Sequence, residues 1–236
     1  INYINADFLL YNFDVIYDYV IGNPPFYKMK SKNGLLNIYR RFAINKETTN
    51  ICSFFLDKAL KISNYVALVF PKFLLNTPEF ATSREYIANK AVDCIIDFGE
   101  KGFPGVLVET LAIFIDNTSR SSDTHVVSIT QGKYLNQPQK YIFDTKLPYW
   151  IIYRNQEFDA VCKKLDFNVF KVFRDRQITN KLLSDNDDIR VLKSRNISDD
   201  GTKIIDIAGY DSYISVDNAK KLSVYDYYKN EDVYIT

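Results

Sequence analysis

The sequence predicts an open α/β sheet that is mostly parallel, with an antiparallel edge. Strand-like and helix-like stretches alternate through the first half of the chain, which is the pattern of such sheets. Residues 65–70 form an almost continuous apolar run that ends at Pro71, typical of a strand buried on both faces. A Gly-Phe-Pro-Gly turn at 102–105 separates two further apolar stretches. These two stretches are therefore expected to form an antiparallel hairpin.

The remaining elements follow from apolar spacing and from proline positions. An extended segment over residues 3–10 precedes a strand over 13–22, which must end at Pro24 and Pro25 because proline fixes φ and has no N–H. Pro78 begins a helix that is expected to have Thr77 as its N-cap. The predicted helices cover residues 50–63 and 78–90, and the other predicted strands cover 92–98, 110–115 and 124–129.

A domain boundary is expected near residue 118. Residues 119–123 are polar and resemble a linker. From residue 135 onward, glycine is scarce, the apolar stretches are short, and Asp, Asn and Lys are frequent. We therefore expect one domain over residues 1–118 and a second region over 119–236.

The composition excludes some classes of protein and leaves others open. Hydrophobic residues make up 47% and charged residues 25% of the chain, which is ordinary for a globular protein. No apolar run approaches the roughly 18–20 residues that span a bilayer, and residues 1–7 lack the layout of a signal peptide. A cytoplasmic location is the default expectation. The net charge of +1 gives no global signal for nucleic acid, so DNA contacts would have to come from local patches.

No metal site is predicted. Cys52, Cys94 and Cys162 are widely separated and lie in apolar neighbourhoods, which favours buried thiols over metal or disulfide roles. His125 has no potential ligand beside it and is expected at the surface.

The segment Asn23-Pro24-Pro25-Phe26 carries a specific chemistry. It follows a predicted strand, at the end of the sheet where ligands of open α/β sheets bind. The two prolines stiffen the loop and offer no N–H, so the Pro24 carbonyl and the Asn23 side-chain oxygen act as paired acceptors. Two acceptors aimed at the hydrogens of an exocyclic adenine amine favour a pyramidal nitrogen that can attack a methyl group, without a general base. Phe26 offers a ring on which an extruded base can stack. A rigid strand-to-loop turn is the alternative interpretation.

These residues lead to a resemblance that runs in register from Asn5 to Asp116. The chain resembles the Taq-type (gamma-order) N6-adenine-specific DNA methyltransferases of type II restriction-modification systems. The resemblance is carried by Ala6-Asp7-Phe8-Leu9, the Asn23–Phe26 loop, and the segments 50–56, 97–106 and 109–114. It implies a Rossmann-like methyltransferase sheet over residues 1–118, followed by part of an α+β target-recognition domain over 119–236.

The resemblance also implies roles for individual residues. Asp7 would accept a hydrogen bond from the adenine amine of S-adenosylmethionine, with Phe8 beside the ring and Phe55 packed on it. Phe103 would be a second aromatic wall for the target base, together with Phe26. Each role has a structural alternative: a surface aspartate for Asp7, a core aromatic for Phe55, and a hydrophobic plug in a hairpin turn for Phe103.

The chain departs from the family before Asp7. Family members carry a glycine-rich turn there that holds the methionine part of the cofactor, and this chain shows no such turn. We therefore expect the first strands of the sheet to be missing and the chain to be a fragment of a longer protein. Cofactor binding by this fragment alone would be weak or absent, and no turnover is expected from it.

The second half offers candidate DNA contacts. Residues 191–197 match the beginning of the family's specificity region, and nearby basic residues suit phosphate and base contacts with double-stranded DNA. The DNA-binding candidates are Arg174, Arg176, Lys193 and Arg195. Interspersed aspartates leave a solvated mixed-charge surface as the alternative. Tyr225, Tyr227 and Tyr228 suggest either a stacking patch or an ordinary hydrophobic face.

The sequence thus predicts a site-specific DNA adenine-N6 methyltransferase that uses S-adenosylmethionine, and the resemblance allows an attached restriction endonuclease. Methyltransferases that act on RNA bases or on protein glutamine share the Asn-Pro-Pro-Phe loop and remain an alternative. A non-catalytic DNA-binding module is the third possibility.

Overall fold

The structure is a computed structural model that describes residues 2–30, 34–100, 102, 108–120, 123–166 and 177–226. The chain consists of two compact units, residues 1–165 and 166–236.

The first unit contains a six-stranded sheet and five helices among the described residues. The strands are β1 (Tyr17–Gly22), β2 (Ser63–Pro71), β3 (Ala91–Gly99), β4 (Thr110–Asp116), β5 (Asp123–Ser128) and β6 (Lys133–Pro138). The helices are α1 (Gly34–Phe42), α2 (Ile51–Ile62), α3 (Ala81–Ala88), α4 (Gln139–Ile142) and α5 (Gln156–Cys162).

The sheet has the strand order β1-β2-β4-β3-β5-β6. The pairs β1–β2 and β3–β5 are parallel, whereas β4 is antiparallel to both of its neighbours and β6 is antiparallel to β5. Strands β1, β2, β3 and β5 therefore run in the same direction and end at one edge, which we call the carboxyl edge. The prediction of a mostly parallel α/β sheet with an antiparallel hairpin is confirmed.

The core lies where the apolar sequence runs predicted it. Strand β4 is central, and Leu111 and Ile113 are fully buried. On β2, Val66, Leu68 and Phe70 are buried in the same cluster, which also includes residues of α2. Burying each large aliphatic or aromatic side chain contributes about 1.5–3 kcal/mol. This packing fixes the direction of β1 and β2, and thus the position of the loop that follows β1.

The chain beyond residue 118 continues the same sheet, which differs from the expected domain boundary. Strand β5 pairs with β3, and β6 pairs with β5. Trp150 and Ile152 are buried in the main core, where Trp150 stacks on Phe143 with ring centroids 3.8 Å apart. The division between the units falls at residues 165–166. The polar stretch that predicted a linker lies in the chain between β4 and β5, which are two strands of one sheet.

Other local predictions need correction. The predicted extended segment over residues 3–10 contains no strand in its described part, because the Leu10 and Tyr11 amides both donate to the Asp7 carbonyl and form a turn. Thr77 occupies the predicted N-cap position before Pro78, but its hydroxyl donates to the Phe73 carbonyl at 2.9 Å and makes no capping hydrogen bond. A short 3-10 helix, Pro78–Phe80, precedes α3 there.

The described part of the second unit is small. It contains the antiparallel strands β7 (Ile189–Val191) and β8 (Ser212–Ile214), and the helix α6 (Val216–Lys220). Ser215 caps α6, since its Oγ accepts from the Asn218 amide at 3.2 Å. Across the described ranges of both units, no helix is long and apolar enough to cross a membrane.

Candidate active site at the carboxyl edge

The Asn23–Phe26 loop lies at the carboxyl edge, directly after β1. Asn23 and Pro25 are exposed, Pro24 is buried, and Phe26 is half-buried against the main core. Gly22 suits the end of β1, since a Cβ on it would lie 3.3 Å from Cδ2 of Leu68. The polar side chain of the loop thus faces solvent, while Pro24 anchors the backbone.

The exit of the loop is fixed to the start of α2. The Tyr27 carbonyl accepts from the Ile51 amide at 3.1 Å, and the Met29 amide donates to the Thr49 carbonyl at 2.9 Å. Asn50 caps α2 by accepting from the Cys52 amide at 3.3 Å. The loop is therefore held at both ends, by β1 and by the α2 N-terminus. A backbone held in this way can present the Pro24 carbonyl as an acceptor without reorganisation.

The three residues proposed for the cofactor lie together. Phe8 and Phe55 stack with ring centroids 5.2 Å apart and an interplanar angle of 13°. Both rings are half-buried, and Asp7, which directly precedes Phe8 in the chain, is exposed. The structure therefore brings the turn at Asp7 against the face of α2 that carries Phe55.

Tyr39 on α1 is a member of this cluster that sequence reasoning missed. Its hydroxyl donates to Oδ2 of Asp7 at 2.7 Å, and the Leu9 amide donates to Oδ1 at 2.8 Å. Burial, followed by the hydrogen bond to Asp7, raises the pKa of Tyr39 to about 12. The tyrosine remains a donor at neutral pH and orients the carboxylate. No local sequence signal links residues 7 and 39.

These residues fit the adenine end of S-adenosylmethionine. A carboxylate has about four lone-pair positions, so Asp7 retains acceptor capacity for an exocyclic amine beyond its two bonds. The stacked phenylalanines offer an aromatic face to a planar ring. A cavity of about 260 Å³ adjoins the cluster and is lined by residues that include Leu9, Tyr39 and Phe54.

Three of the predicted functional residues lie outside the described part of the chain: Phe103, Arg174 and Arg176. Two others, Lys193 and Arg195, meet on one aromatic ring in the second unit. The Lys193 ammonium lies 4.4 Å, and the Arg195 guanidinium 4.7 Å, from the ring centroid of Tyr210. Lys193 also donates to the Tyr210 carbonyl at 2.7 Å, and Arg195 is exposed. Nearby Arg190 is paired with Asp206 and Asp211.

The thiols and the acidic residues form no metal centre in the part of the chain that the structure describes. No group of three or more His, Cys, Asp or Glu side chains there is placed to hold an ion. Cys52 is buried, whereas Cys94 and Cys162 are half-buried, and all three are free. His125 is exposed and lies beside Tyr134, with 2.8 Å between Nδ1 and the hydroxyl.

Part of the chain is similar in sequence to a known protein family. Residues 2–103 match the Eco57I restriction-modification methylase family. Every residue predicted for the cofactor or the target base, from Asp7 to Phe103, lies inside this Eco57I-like segment. Lys193 and Arg195 lie outside it. A comparison with curated proteins gives no match.

Solved structures with a similar fold come from several methyltransferases and restriction enzymes. A Streptococcus thermophilus type I restriction-modification methyltransferase subunit has a TM-score of 0.43 and 19% identity over 67% of this chain. A Listeria monocytogenes structure described as a class I S-adenosylmethionine-dependent methyltransferase has a TM-score of 0.43 and 15% identity over 52%. The type IIG restriction endonuclease BpuSI has a TM-score of 0.49 and 13% identity over 61%. The chain spans 34%, 39% and 22% of these proteins, respectively.

Proposed function

We propose that this chain forms part of a restriction-modification enzyme that methylates N6 of adenine in DNA with S-adenosylmethionine. The observation that carries the proposal is the Asn23–Phe26 loop, held at the carboxyl edge between β1 and the α2 N-terminus. The Eco57I-like match over residues 2–103 supports the same assignment.

The loop acts by orienting the amine of an extruded adenine. The Asn23 side-chain oxygen and the Pro24 carbonyl accept the two N6 hydrogens, and this holds the nitrogen lone pair out of conjugation with the ring. The half-buried Phe26 packs beside the base. Transfer would form an N6–CH₃ bond and break the bond between the methyl carbon and the cofactor's sulfur, with the electron pair of that bond staying on sulfur. N6 would release one proton to water, so the site needs no base of shifted pKa.

Asp7, Phe8 and Phe55 hold the adenine end of the cofactor in this scheme. The cofactor, when bound, supplies an electrophilic methyl group. Asp7 selects the adenine by accepting from its amine, in an orientation that Tyr39 maintains through its 2.7 Å hydrogen bond. The phenylalanine pair adds stacking, which is worth about 1–3 kcal/mol for a base on an aromatic side chain.

DNA recognition is assigned to the C-terminal part of the chain. Lys193 and Arg195 lie together on Tyr210, and two cations on one surface suit contacts with phosphates or base edges. Arg174 and Arg176 are further candidates from the sequence. The chain beyond the six-stranded sheet is therefore proposed to act as a target-recognition region.

The experiment offers methyl-labelled cofactor to the complete protein with double-stranded DNA, RNA or a protein extract as the acceptor. Label is expected in DNA only. Asn23→Ala should reduce transfer by at least about 100-fold, the scale of losing one oriented polar group in a transition state, with unchanged folding. Label in RNA or protein would favour the alternative methyltransferases, and no label in any acceptor would favour a non-catalytic DNA-binding module.

A further inference from the structure

A cluster of charged side chains at the carboxyl edge joins three adjacent strands. Lys72 is the first residue after β2, Asp97 lies near the end of β3, and Glu109 directly precedes β4. The Lys72 ammonium is 3.0 Å from Oδ2 of Asp97 and 3.1 Å from Oε2 of Glu109. The Lys72 ammonium therefore bridges two carboxylates, one before and one after the β3–β4 connection.

Backbone contacts reinforce the bridge. The Lys72 amide donates to the Glu109 carbonyl at 2.8 Å. Oδ1 of Asp97 accepts from the Gly99 amide at 2.9 Å, and Oδ2 also accepts from the Tyr153 hydroxyl at 2.6 Å. The Asp97 carboxylate thus has two further partners besides Lys72, whereas Glu109 is joined to Lys72 through both its carboxylate and its backbone carbonyl.

Burial makes this cluster different from an ordinary surface ion pair. Asp97 is only 2% exposed, whereas Glu109 is 46% exposed, so water screens the Glu109 pairing more strongly than the Asp97 pairing. A buried carboxylate that loses its cation becomes an uncompensated charge, which is strongly destabilising. Burial lowers the pKa of Lys72, but its contacts with Asp97 and Glu109 outweigh this effect and raise the pKa above its ordinary value. Lys72 therefore stays charged at neutral pH.

The segment between the two carboxylates contacts the sheet at one further described point. A Cβ on Gly102 would lie 2.3 Å from Oγ1 of Thr110, the first residue of β4. Glycine is thus required for this close approach. Residues 100–108 begin and end at the same edge as the Asn23–Phe26 loop, and β2 alone separates β1 from β4.

We propose that Lys72 is a positioning residue for methyl transfer. By tying Asp97 and Glu109 to the end of β2, Lys72 fixes both ends of the 100–108 segment relative to the Asn23–Phe26 loop. Lys72 itself touches neither base nor cofactor; it acts through the two carboxylates. This inference rests on the proposed function, because its effect on rate requires a base held near that loop.

The test compares Lys72→Met and Lys72→Arg in the complete protein, with the exposed Lys140→Met in α4 as the matched control. Steady-state methyl transfer gives kcat and the KM for cofactor, and amide hydrogen exchange follows peptides that span residues 97–112. Lys72→Met should lower kcat by roughly 10- to 100-fold, the scale of a small displacement of reacting groups, while leaving the KM for cofactor nearly unchanged. It should also speed exchange in those peptides. Lys72→Arg should recover most of both effects.

A kcat for Lys72→Met equal to that of the wild type overturns the proposal. A lower kcat with unchanged amide exchange also overturns it. So does an arginine variant whose kcat and amide exchange are no closer to the wild type than those of the methionine variant. If Lys72→Met fails to fold, Glu109→Gln serves as the second variant, because it leaves the Lys72–Asp97 pair in place. It should speed exchange over residues 97–112 and lower kcat less than Lys72→Met, and wild-type behaviour would contradict the proposal. If the wild-type protein methylates no DNA, the proposed function fails, whereas the exchange data still test the bridge.

Discussion

Phe8 and Phe55 stack in parallel with ring centroids 5.2 Å apart, although one follows the turn at Asp7 and the other lies on α2. The contact links the two segments that the sequence assigned to the cofactor's adenine. It also places the aromatic pair next to the Asp7–Tyr39 hydrogen bond. One cluster therefore contains an acceptor, a group that orients it, and a stacking surface.

Phe55→Ala in the complete protein is expected to weaken S-adenosylmethionine binding by roughly 10- to 100-fold, because loss of one stacking contact costs about 1–3 kcal/mol. Calorimetric titration measures the change. Phe114→Ala on β4 removes another partly exposed ring, 37% accessible, and should leave affinity within a factor of two. Wild-type affinity in Phe55→Ala would remove Phe55 from the cofactor site.

Residues 1–236 alone should bind the cofactor weakly. Asp7, Phe8 and Phe55 account for the adenine end only, and no glycine-rich turn in this sequence accompanies them for the methionine end. Titration of the isolated chain with S-adenosylmethionine checks this expectation. A micromolar dissociation constant would contradict it.

The sequence predicted strands β1 to β5 and the position of the loop after β1 because their signals are local, whereas β6 was not predicted. The apolar run of β2, the prolines after β1 and the glycines between β3 and β4 each act on their own neighbours in the chain. The Asp7–Tyr39 and Lys72–Asp97 contacts are long-range, and residue types alone do not indicate such partners. Helix α1 was missed although its apolar residues share one face at helical spacing; of these, only Leu36 and Tyr39 are buried.

The free energy of unfolding should depend on the titration of Asp57, and the raised pKa of this group sets the direction of the pH dependence. Asp57 is 2% exposed, its Oδ2 accepts from the Ile44 and Asn45 amides, and burial raises its pKa to about 6. Between pH 4 and 6 the folded state therefore binds more protons than the unfolded state, so this group's contribution to stability falls as pH rises through that window. The contribution amounts to about 3 kcal/mol in total.

Asp57→Asn removes that titration. The difference in unfolding free energy, variant minus wild type, should grow by about 2 kcal/mol from pH 4 to pH 7.5, as measured by urea unfolding at both values. Gln131→Ala, at an exposed position and without loss of a carboxyl group, is the control and should show no such trend. A pH-independent difference for Asp57→Asn would show that the carboxyl group titrates normally.

Gln139 tests whether the chain beyond residue 118 belongs to the first unit. Its Oε1 accepts from the Val92 amide at 2.7 Å, and its Nε2 donates to the Ala88 and Lys90 carbonyls. Gln139→Ala leaves these buried backbone groups unpaired, and we expect a loss of about 2–3 kcal/mol in unfolding free energy. Exposed Gln131→Ala should change it by less than about 0.5 kcal/mol. Equal effects of the two substitutions would argue for a boundary near residue 118.

The proposed reaction methylates one atom, N6 of adenine, and depends on one loop, Asn23–Phe26. The most direct measurement is mass spectrometry of nucleosides from DNA that was incubated with S-adenosylmethionine and either the complete wild-type protein or its Asn23→Ala variant. We expect N6-methyladenine with the wild type and almost none with the variant, while both proteins unfold at the same urea concentration. Methylation of cytosine, or an undiminished yield of N6-methyladenine with Asn23→Ala, would contradict this expectation.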